Sequence, residues 1–507
     1  MSIIPALYSL SITTLLSVAV LLGFGVYALT FSSRYKFPSK SPKLVKEGYP
    51  ILGTLRFFTA RWDFFQHARA HSTTGNFSFF LGKHPVVGLS GEKGRQIFFE
   101  SRDLDFTEGY AVLFGQSPNS LKEDGIQNID KDFAGPGGYF ARRITRMLNK
   151  ENFGKSFPKL ISDVKTTLDG FALDPTGITD PFESIYKIVF QLTIRMVGCD
   201  DIADDPKLLD KTLNLYETIE ASSTTAAVLF PKFPSMGIIK RTVAGGRLYV
   251  IFNKIVNERK QSGKRGEDPL QFLMDQGDDI QRIIEFIVGA LFAGLLNSGV
   301  NAAWVLVYLA KDPYWMGRVR EEIKGVAAKY SNNKDAPLVD QLSQVPVEAW
   351  ESEFPMVDLC LKDSIRLQLL GTAFRKNISG KDIPTGSGNE IIPNGAFVTY
   401  HTGDVHLDPT IYKDPKKWDP SRYLPDRAED KKKPYAYMGW GMGRHPCLGM
   451  RFAKLEQNII TAFFCAMFDY ELVDKAGKPM TTTPPVDFNG HSATKPSPSI
   501  YLKYKTI

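Results

Sequence analysis

The segment Trp440-Gly441-Met442-Gly443-Arg444-His445-Pro446-Cys447-Leu448-Gly449 decides the fold of this chain. It is a glycine-rich loop with one cysteine, and it leads into an amphipathic helix whose apolar face repeats at helical spacing: Phe452, Leu455, Ile459, Phe463 and Met467. A helix N-terminus favours a thiolate over a thiol, and Arg444 and His445 add positive charge nearby. Glycines let the backbone approach a flat group closely because they carry no Cβ. A single thiolate of this kind, without a second cysteine or histidine at metal-ligand spacing, suits the proximal ligand of a haem iron.

Outside this loop, the composition is that of an ordinary globular protein. Of the 507 residues, 43% are hydrophobic and 23% are charged, which excludes a mainly disordered or fibrous chain. The net charge of +7 comes from 62 basic and 55 acidic side chains; this small excess, without a long basic run or zinc-finger spacing, argues against nucleic-acid binding. The cysteines (Cys199, Cys360, Cys447 and Cys465) are too sparse for a disulfide scaffold and indicate a reducing compartment.

The first 33 residues contain no charged side chain, and Ile12 to Phe31 form a mostly apolar run. As a helix this run would span about 30 Å, the thickness of the hydrocarbon core of a bilayer. Basic residues follow from Arg34 onward, so the positive-inside rule predicts a body that faces the cytosol. The sequence therefore predicts a transmembrane anchor over 1–33 and a proline-containing linker over 34–50. A targeting segment that is removed is the alternative.

The remaining body, residues 51–507, is predicted to be mainly α with small β-sheets, an α+β fold. Apolar spacing predicts strands over 86–89 and 500–504. The same analysis predicts helices over these segments: 137–153, 181–198, 246–261, 279–310, 314–329 and 448–468.

An uncharged stretch over 286–310 is long enough for a second membrane span. Its middle carries Asn297, Ser298 and Asn301, and the worst polar residues in mid-membrane cost about 2 kcal/mol or more. A long helix through the centre of a large core gives the same pattern and lets these groups face an internal cavity. The sequence favours that buried core helix.

The cysteine loop is similar to that of the cytochrome P450 superfamily of haem-thiolate enzymes. The family pattern is aromatic-x-x-Gly-x-(Arg or His)-x-Cys-x-Gly, and it is matched position by position by Trp440, Gly443, His445, Cys447 and Gly449. Further family blocks follow in the family's order, so the resemblance covers nearly the whole chain. It implies the cytochrome P450 fold and a haem b whose iron takes Cys447 as its axial ligand, with the matching loop residues at the cofactor.

Two of these blocks resemble a charged network of the family. Asp363-Ser364-Ile365-Arg366 stands where the family has Glu-x-x-Arg, and Pro420-Ser421-Arg422-Tyr423 matches its Pro-x-Arg-aromatic element. The resemblance implies that Asp363, Arg366 and Arg422 lock the fold behind the cysteine loop. Two guanidinium groups around one carboxylate can survive burial because their hydrogen bonds are charge-assisted. An ordinary surface pair, worth roughly 0.2–0.5 kcal/mol, is the alternative.

The block on the predicted central helix departs from the family pattern Ala/Gly-Gly-x-Asp/Glu-Thr, whose acid and alcohol help deliver protons to dioxygen. Here Leu296 replaces the acid and Asn297 replaces the threonine. An amide donates and accepts hydrogen bonds but does not act as a carboxylic acid. The segment from Asn297 to Trp304 is most similar to the branch that contains sterol 7α-hydroxylase and prostacyclin synthase. The resemblance implies catalytic roles for Asn297 and Ser298 and leaves the reaction type open; a core amide is the alternative for Asn297.

The resemblance also suggests donors for the haem propionates. Arg375 and His445 lie where the family places such donors. Arg142 and Arg146 fall on a helix similar to the family's Trp-Arg-x-x-x-Arg helix, whose tryptophan is absent here, so it stays open which arginine of this helix, Arg143 included, turns inward. A nearby basic set is a candidate for the face that receives a flavoprotein reductase: Arg146, Lys150, Arg451 and Lys454.

These expectations combine into a monooxygenase held in the endoplasmic reticulum membrane by a single span, with its catalytic domain in the cytosol. It would take electrons from an NADPH–cytochrome P450 reductase and oxidise a bulky lipophilic molecule (a terpenoid, sterol or polyketide, as in secondary-metabolite biosynthesis) with O2. Substrate-access loops are expected at 108–128 and 222–239. The alternatives are a reductase-independent haem-thiolate isomerase or dehydratase acting on a peroxide, and a haem-binding membrane protein without enzyme activity.

Overall fold

The computed structural model describes residues 35–49, 52–111, 138–222, 235–490 and 493–507, together with the isolated positions 14, 16–18, 20–23, 25, 225 and 229. The predicted anchor over 1–33 therefore lies largely outside the described residues. The same holds for most of the predicted access loop 108–128 and for much of 222–239.

Helices dominate the described chain. The α-helices are, in chain order, α1 (Arg56–Thr59), α2 (Arg61–Ala70), α3 (Gly91–Glu100), α4 (Phe106–Ala111), α5 (Tyr139–Met147), α6 (Lys150–Ala172), α7 (Pro181–Val197), α8 (Asp200–Ala203), α9 (Pro206–Ala221), α10 (Met236–Ser262), α11 (Pro269–Asp275), α12 (Ile280–Lys311), α13 (Pro313–Tyr330), α14 (Leu338–Leu342), α15 (Val347–Ser352), α16 (Pro355–Gln368), α17 (Gly403–His406) and α18 (Met450–Met467). Short 3-10 helices cover Pro420–Tyr423 and Glu429–Lys431.

The described strands are short, each six residues long or less. They are β1 (Phe77–Leu81), β2 (His84–Leu89), β3 (Leu104–Asp105), β4 (Ile178–Thr179), β5 (Thr372–Asn377), β6 (Ile383–Pro384), β7 (Ile391–Ile392), β8 (Phe397–His401), β9 (Gly441–Met442), β10 (His445–Pro446), β11 (Phe468–Val473) and β12 (Tyr501–Thr506). β1, β2, β8, β5 and β3 form a five-stranded sheet in that order, in which only the β2–β8 pair is parallel. β11, β12 and β4 form a three-stranded sheet, and β6–β7 and β9–β10 are hairpins. The predicted fold class, mainly helical with small sheets, is confirmed.

Asp-Pro pairs fix the starts of several helices. The aspartate accepts a hydrogen bond from a backbone N–H of the first turn, and the proline at the first helical position has no N–H that would need a partner. This arrangement occurs at Asp180-Pro181, Asp205-Pro206, Asp268-Pro269 and Asp312-Pro313.

The segment predicted as one helix over 137–153 is two helices. α5 ends at Met147 and α6 begins at Lys150, because Asn149 has an extended backbone (φ −69°, ψ 165°) and its side chain accepts a hydrogen bond from the Asn152 N–H. The single-helix prediction was therefore wrong: an asparagine inside an apolar pattern acts here as an N-cap.

The central helix α12 runs through the core. Within the described chain it is the one helix that is long and apolar enough to cross a membrane. Every residue from Gly299 to Leu309 is buried inside the protein, and α7, α16 and α18 pack against the helix. Trp304 lies edge-on to Phe182 and donates its indole N–H to the Thr494 carbonyl at 3.0 Å. The structure thus places this segment as the buried core helix that the sequence favours.

Candidate active site

The cysteine loop is a tight hairpin that ends at the start of α18. β9 pairs with β10, and the Cys447 backbone N–H donates to the Trp440 carbonyl at 2.7 Å. Gly443 has φ +60°, and a Cβ at this position would lie 2.4 Å from the Phe99 carbonyl oxygen. Gly441 has φ +67°, and its Cβ would lie 2.5 Å from the His445 carbonyl oxygen. The loop can therefore approach α3 and close on itself only with glycine at these two positions.

Cys447 differs from the other cysteines in its surroundings. Its residue surface is exposed, whereas Cys199, Cys360 and Cys465 are buried. Burial nevertheless raises the pKa of the Cys447 thiol, and N–H groups of Gly449 and Met450 oppose this rise. Cys447 thus keeps accessible surface while protein surrounds its thiol, and we refer to this position as the recess at Cys447.

The sequence prediction that the helix N-terminus and nearby charge favour the thiolate needs a correction. In the protein alone burial outweighs the N–H groups, and His445 does not supply a cation, because burial and the charges of Arg375 and Arg444 lower its pKa to about 4. A cation bound at the Cys447 sulfur would restore the preference for the thiolate.

Asp363 and Arg366 form a fully buried pair. Both side chains are 0% exposed, and the Arg366 Nε donates to Asp363 Oδ1 at 2.7 Å. The remaining guanidinium nitrogens donate to backbone carbonyls, including those of His406 at 2.9 Å and Lys417 at 3.0 Å. The structure therefore excludes the surface-pair alternative for these two residues.

Arg422 joins the same cluster from the 3-10 helix Pro420–Tyr423. Its side chain is also 0% exposed, and its Nε lies 3.8 Å from Asp363 Oδ1. Arg422 and Arg366 both donate to the Lys417 carbonyl at 3.0 Å. The structure thus brings together the three residues of the predicted network.

Two members of this network were missed by the sequence analysis. The Tyr423 hydroxyl donates to Asp363 Oδ1 at 2.9 Å, and Glu429 Oε2 accepts from Arg422 at 3.0 Å. The aromatic position of the Pro-x-Arg-aromatic element was the signal for Tyr423. Glu429 follows Arg422 by seven residues across an irregular turn, and no sequence periodicity links the two.

The network connects to the cysteine loop through His406. The carbonyl of His406 accepts from Arg366, and its ring Nε2 accepts from the Met438 N–H at 3.0 Å. Burial lowers the pKa of His406 to about 3, so the ring is neutral and can accept this bond. On the same side, a Cβ at Gly439 would lie 2.4 Å from Ile365 of α16. The chain just before the cysteine loop is therefore held directly against the network.

The middle of α12 is open although both flanks of the helix are buried. Ala293 is exposed and Gly294, Asn297 and Ser298 are half-buried, and their spacing puts them on adjoining parts of the helix surface. A Cβ at Gly294 would meet no atom within 4 Å. The helix therefore borders an open space at this level.

The role of a core amide belongs to Asn301 rather than to Asn297. Asn301 is 2% exposed, donates from Nδ2 to the Asn297 carbonyl at 2.9 Å and accepts from the Ser364 hydroxyl at 3.1 Å. Within the described residues, the side-chain amide of Asn297 forms no hydrogen bond. The amide one turn earlier is thus the one that remains available for a ligand.

Arg375 and His445 lie close to each other beside Phe106. The Arg375 guanidinium stacks on the rings of Phe98 and Phe106, at 4.8 Å from each centroid. The His445 ring also stacks on the Phe106 ring, and the two ring centroids lie 5.1 Å apart. Arg375 is one of the charges that lower the pKa of His445, so the structure brings the two predicted propionate donors together.

The arginines of α5 point in different directions. Arg143 binds Asp278 with two hydrogen bonds (3.0 and 2.8 Å) and also donates to Gln276. Arg146 is exposed and donates to the same Gln276 oxygen at 3.1 Å. Arg142 is exposed. Arg143 and Arg146 are thus directed to the α11–α12 connection, and the propionate role of Arg142 and Arg146 stays a prediction.

The predicted basic face carries acids as well. Lys150 pairs with Glu348 at 3.3 Å, Arg451 pairs with Glu351 at 2.5 Å, and Lys454 pairs with Asp358 at 2.5 Å. The face is therefore a mixed-charge surface rather than a uniformly positive one.

These surfaces fit a flat, anionic, iron-containing group. The recess at Cys447 offers a soft sulfur ligand, and Arg375 with His445 offers donors to carboxylates. The open stretch of α12 is connected to the cysteine loop through α18. This helix begins at the loop and packs on α12, and its Gln457 donates to the Ser298 carbonyl at 2.9 Å. The residues present thus fit haem.

Comparisons with known proteins agree with this geometry. Residues 44–503 match the family model described as "Cytochrome P450". The chain is 36% identical over 468 residues to the cytochrome P450 monooxygenase AacuE of Aspergillus aculeatus, covering 92% of this chain and 93% of that protein. It is 38% identical over 447 residues to the cytochrome P450 monooxygenase nsrP of Aspergillus novofumigatus, covering 87% and 85%. The solved structure of cyanobacterial CYP120A1 with bound retinoic acid shares the fold, with a TM-score of 0.70 and 20% identity over 93% of this chain and 100% of that one.

Proposed function

Because the chain belongs to the cytochrome P450 family of oxidoreductases, whose haem iron is bound by an axial cysteine thiolate, we propose that Cys447 is the iron ligand of a monooxygenase that acts on a bulky lipophilic small molecule. The observation that carries this proposal is the recess at Cys447. It supports Cys447 over the other three cysteines, which are buried in the core. Haem, when bound, supplies the reduction of dioxygen and the transfer of one oxygen atom to the substrate.

The residues around the recess have distinct tasks in this proposal. Trp440 holds the loop closed through its carbonyl, Gly443 lets the loop lie against α3, and Gly449 leaves the backbone free to lie against the cofactor. Arg375 and His445 donate to the propionates, together with Arg142 or Arg146 from α5. Asp363, Arg366 and Arg422 hold the loop in place from behind, through His406 and Met438.

The proposed substrate is a terpenoid, sterol or polyketide of secondary metabolism. The open stretch of α12 supports an apolar ligand, since Ala293 and Gly294 lie there beside the half-buried side chains of Phe292 and Leu296. Asn297 is a polar group on this stretch and orients the ligand or a water. Small-molecule sites of this kind are mostly apolar, with a few polar groups that fix orientation.

A two-step experiment tests the proposed function. Purified protein is titrated with terpenoids, sterols and polyketides, and the compounds that shift the haem spin state are retained. Each is then incubated with the enzyme, with and without NADPH and reductase. We expect product only when both are present; product formed from a peroxide without either would support the second candidate below.

That second candidate is an isomerase or dehydratase that acts on a peroxide. The observation that favours it is the pair Leu296 and Asn297, which removes the acid and the alcohol from the central helix. An amide that orients a peroxide oxygen would need no external electrons. The relatives reported above carry the name monooxygenase, which supports the first candidate.

Replacing Asn297 with alanine is expected to uncouple NADPH consumption from product formation while leaving haem content unchanged. The accessible amide can hold a water that carries protons, and loss of such a network lowers the rate of product formation by about 10²-fold or more. Parallel assays of NADPH, hydrogen peroxide and product measure the effect. Unchanged turnover and coupling would remove the catalytic role from Asn297.

Asn301→Ala is the matched control, since it removes the same amide one turn further along. Here the Asn297 carbonyl and the Ser364 hydroxyl lose a buried partner, and we expect a loss of about 1–3 kcal/mol in the free energy of unfolding with unchanged coupling. Chemical denaturation followed by circular dichroism measures this loss. Uncoupling in Asn301→Ala but not in Asn297→Ala would reverse the two assignments.

We also propose that the N-terminal segment anchors the enzyme in the endoplasmic reticulum membrane, where NADPH–cytochrome P450 reductase reaches it from the cytosolic side. The uncharged stretch 1–33 and the basic residues that follow it support this topology. The mixed-charge face around Lys150, Arg451 and Lys454 is the proposed contact with the reductase. Its basic side chains pair with Glu348, Glu351 and Asp358, so the face has little net positive charge. In this proposal the reductase is oriented by matching individual charges on the two surfaces, not by overall attraction.

Deleting residues 1–33 is expected to release a body that still binds haem, because the segment precedes all the elements that form the core and the cysteine loop. Membrane fractionation and the absorbance of the reduced, carbon-monoxide-bound protein measure the two properties. A truncated protein that stays in the membrane fraction after an alkaline wash would mean that another segment spans the bilayer.

A further inference from the structure

Arg61, the first residue of α2, is a buried arginine whose charge meets no acid of the described chain. The residue is 7% exposed, and its Nε donates to the Phe57 carbonyl at 3.1 Å. The guanidinium lies over the Phe57 ring, with Cζ 4.4 Å from the ring centroid. Burial lowers the pKa of Arg61 to about 10, so the side chain still carries its charge at pH 7. A buried charge without a partner costs free energy.

Every other buried arginine of the described chain has an anion assigned to it. Five of them form an ion pair with an aspartate or a glutamate: Arg95, Arg195, Arg259, Arg366 and Arg422. The sixth, Arg375, is assigned above to the haem propionates. Arg61 is thus the buried arginine for which neither the described chain nor the cofactor supplies an anion.

The donors of Arg61 that remain lie at the end of its side chain. Nη1 and Nη2 form no hydrogen bond with the described residues, and neither nitrogen is fully enclosed by them, whereas the Nε of Arg95 is enclosed. The terminal nitrogens therefore border a space that a ligand can occupy. Their planar, forked arrangement matches the two oxygens of a carboxylate.

The start of α2 favours an anion as well. The N-cap residue, Ala60, has no side chain that can accept from the first turn, and the backbone N–H groups of Arg61 and Trp62 have no partner within the described residues. Asp63, the acid of this turn, is exposed and accepts from Asn489 at 3.1 Å. A cation in the first turn of a helix is unfavourable, because it lies at the positive end of the helix dipole. A bound anion would remove this repulsion and pair with the free N–H groups.

Arg61 lies one strand away from the proposed cofactor site. Phe57, on which the guanidinium stacks, is edge-on to Phe374 of β5, with ring centroids 5.8 Å apart. The next residue of β5 is Arg375, and successive side chains of a strand point to opposite faces of the sheet. The strand therefore separates Arg61 from the propionate donors, so the anion that Arg61 lacks is not a haem propionate. Phe57 and Phe374 are 2% and 0% exposed and give this region an apolar lining.

We propose that Arg61 binds the carboxylate of a lipophilic acid and thereby positions the substrate, with its apolar body directed toward the cofactor site. This inference rests on the proposed monooxygenase function and narrows its substrate class to molecules that carry an ionised acid group. The guanidinium donates two parallel hydrogen bonds to the carboxylate, and the first-turn N–H groups of α2 add to the binding. A phospholipid headgroup offers similar anionic oxygens, but the burial of Arg61 favours a ligand that enters the protein.

The first test compares acids with their neutral esters. Abietic acid and methyl abietate form a bulky terpenoid pair, and palmitic acid and methyl palmitate form a slender pair. Dissociation constants for the ferric holoenzyme are obtained from the spin-state shift or from competition with a compound retained by the screen. We expect wild type to bind at least one acid about 10-fold more tightly than its ester, and Arg61→Gln to lose this preference. A wild-type protein that prefers neither acid to its ester would overturn the proposal.

Arg56→Gln is the matched control for this test. Arg56 lies on the adjoining helix α1, is half-buried and pairs with Glu47 at 3.3 Å, so its replacement should leave the preference for the acid in place. An equal loss of preference in both variants would contradict a specific role of Arg61.

A vesicle experiment separates the two sources of the anion. Wild type and Arg61→Gln should bind equally to phosphatidylcholine vesicles with and without phosphatidylserine. If Arg61→Gln loses affinity for the phosphatidylserine vesicles but keeps the preference for the acid over its ester, the anion belongs to a lipid headgroup and the substrate role is overturned.

The second test needs no ligand. Methionine matches much of the length of arginine but carries no charge, so Arg61→Met should not lower the denaturation midpoint of the ligand-free holoenzyme. A midpoint well below that of wild type would mean that Arg61 already has a partner in the folded chain, and it would overturn the proposal. Both tests are independent of turnover. Product formation by wild type without NADPH would overturn the proposed function, whereas loss of the preference for acids concerns Arg61 alone.

Discussion

Replacing Arg366 with alanine is expected to lower the free energy of unfolding by about 3–5 kcal/mol and to reduce haem retention. The change leaves the Asp363 carboxylate 0% exposed and without its closest cation, and it removes the donor to the His406 carbonyl and one of the two donors to the Lys417 carbonyl. His406 then loses its link to the network, although it holds Met438 just before the cysteine loop. Denaturation followed by circular dichroism, together with haem content after gel filtration, measures both effects.

The control for this prediction is Arg265→Ala. Arg265 forms a single ion pair with Asp275 at 2.6 Å, and both side chains are exposed (68% and 40%), so its loss should cost about 0–1 kcal/mol. Equal effects of the two substitutions would show that the buried network does not hold the cysteine loop.

Replacing Cys447 with serine is expected to abolish turnover and the absorbance that is specific to thiolate-bound haem in the reduced, carbon-monoxide-bound protein. Serine is nearly isosteric with cysteine but does not supply a thiolate, so the fold should persist while the iron loses its ligand. Substitution of Cys199, Cys360 or Cys465 by alanine should leave the absorbance in place, because all three are buried in the core. Two results would contradict the assignment. One is that Cys447→Ser keeps the thiolate absorbance, and the other is that one of the other variants loses this absorbance because its iron has lost the ligand.

The family, the cofactor and the fold class could be predicted because they depend on local patterns. The cysteine loop needs glycine where a Cβ would strike the Phe99 or His445 carbonyl, and this requirement is visible in the sequence as closely spaced glycines. The central helix was recognisable because its polar residues are concentrated in the middle of an apolar run. Each of these features lies within about thirty consecutive residues, so it can be read from the local sequence. The comparisons with known proteins confirm the family.

What could not be predicted depends on contacts between distant elements. Arg143 and Arg146 are directed to Asp278 and Gln276, more than a hundred residues away, and no periodicity of α5 reveals this. The hydrogen bond from Gln457 to the Ser298 carbonyl joins two helices that are far apart in the chain. The helix predicted over 137–153 is divided for a local reason. The side chain of Asn149 caps α6 and so interrupts a pattern that is apolar on both sides.

The thiolate character of Cys447 shows why such a site needs tertiary information. The helix N-terminus is evident from the sequence and does contribute, through the N–H groups of Gly449 and Met450. Burial, which the sequence does not reveal, raises the pKa of the thiol more than these groups lower it. A preference for the thiolate would therefore need a cation at the Cys447 sulfur in addition to the N–H groups of the loop.

The most direct test of monooxygenation is oxygen-isotope labelling of the product. The wild-type enzyme, with NADPH, reductase and the compound that gives the largest spin-state shift, is incubated under ¹⁸O₂ in ordinary water, and the product is analysed by mass spectrometry. We expect one oxygen atom of the product to carry the label, and no product when NADPH or the reductase is omitted. An unlabelled product that forms from a peroxide substrate without NADPH would contradict the monooxygenase assignment.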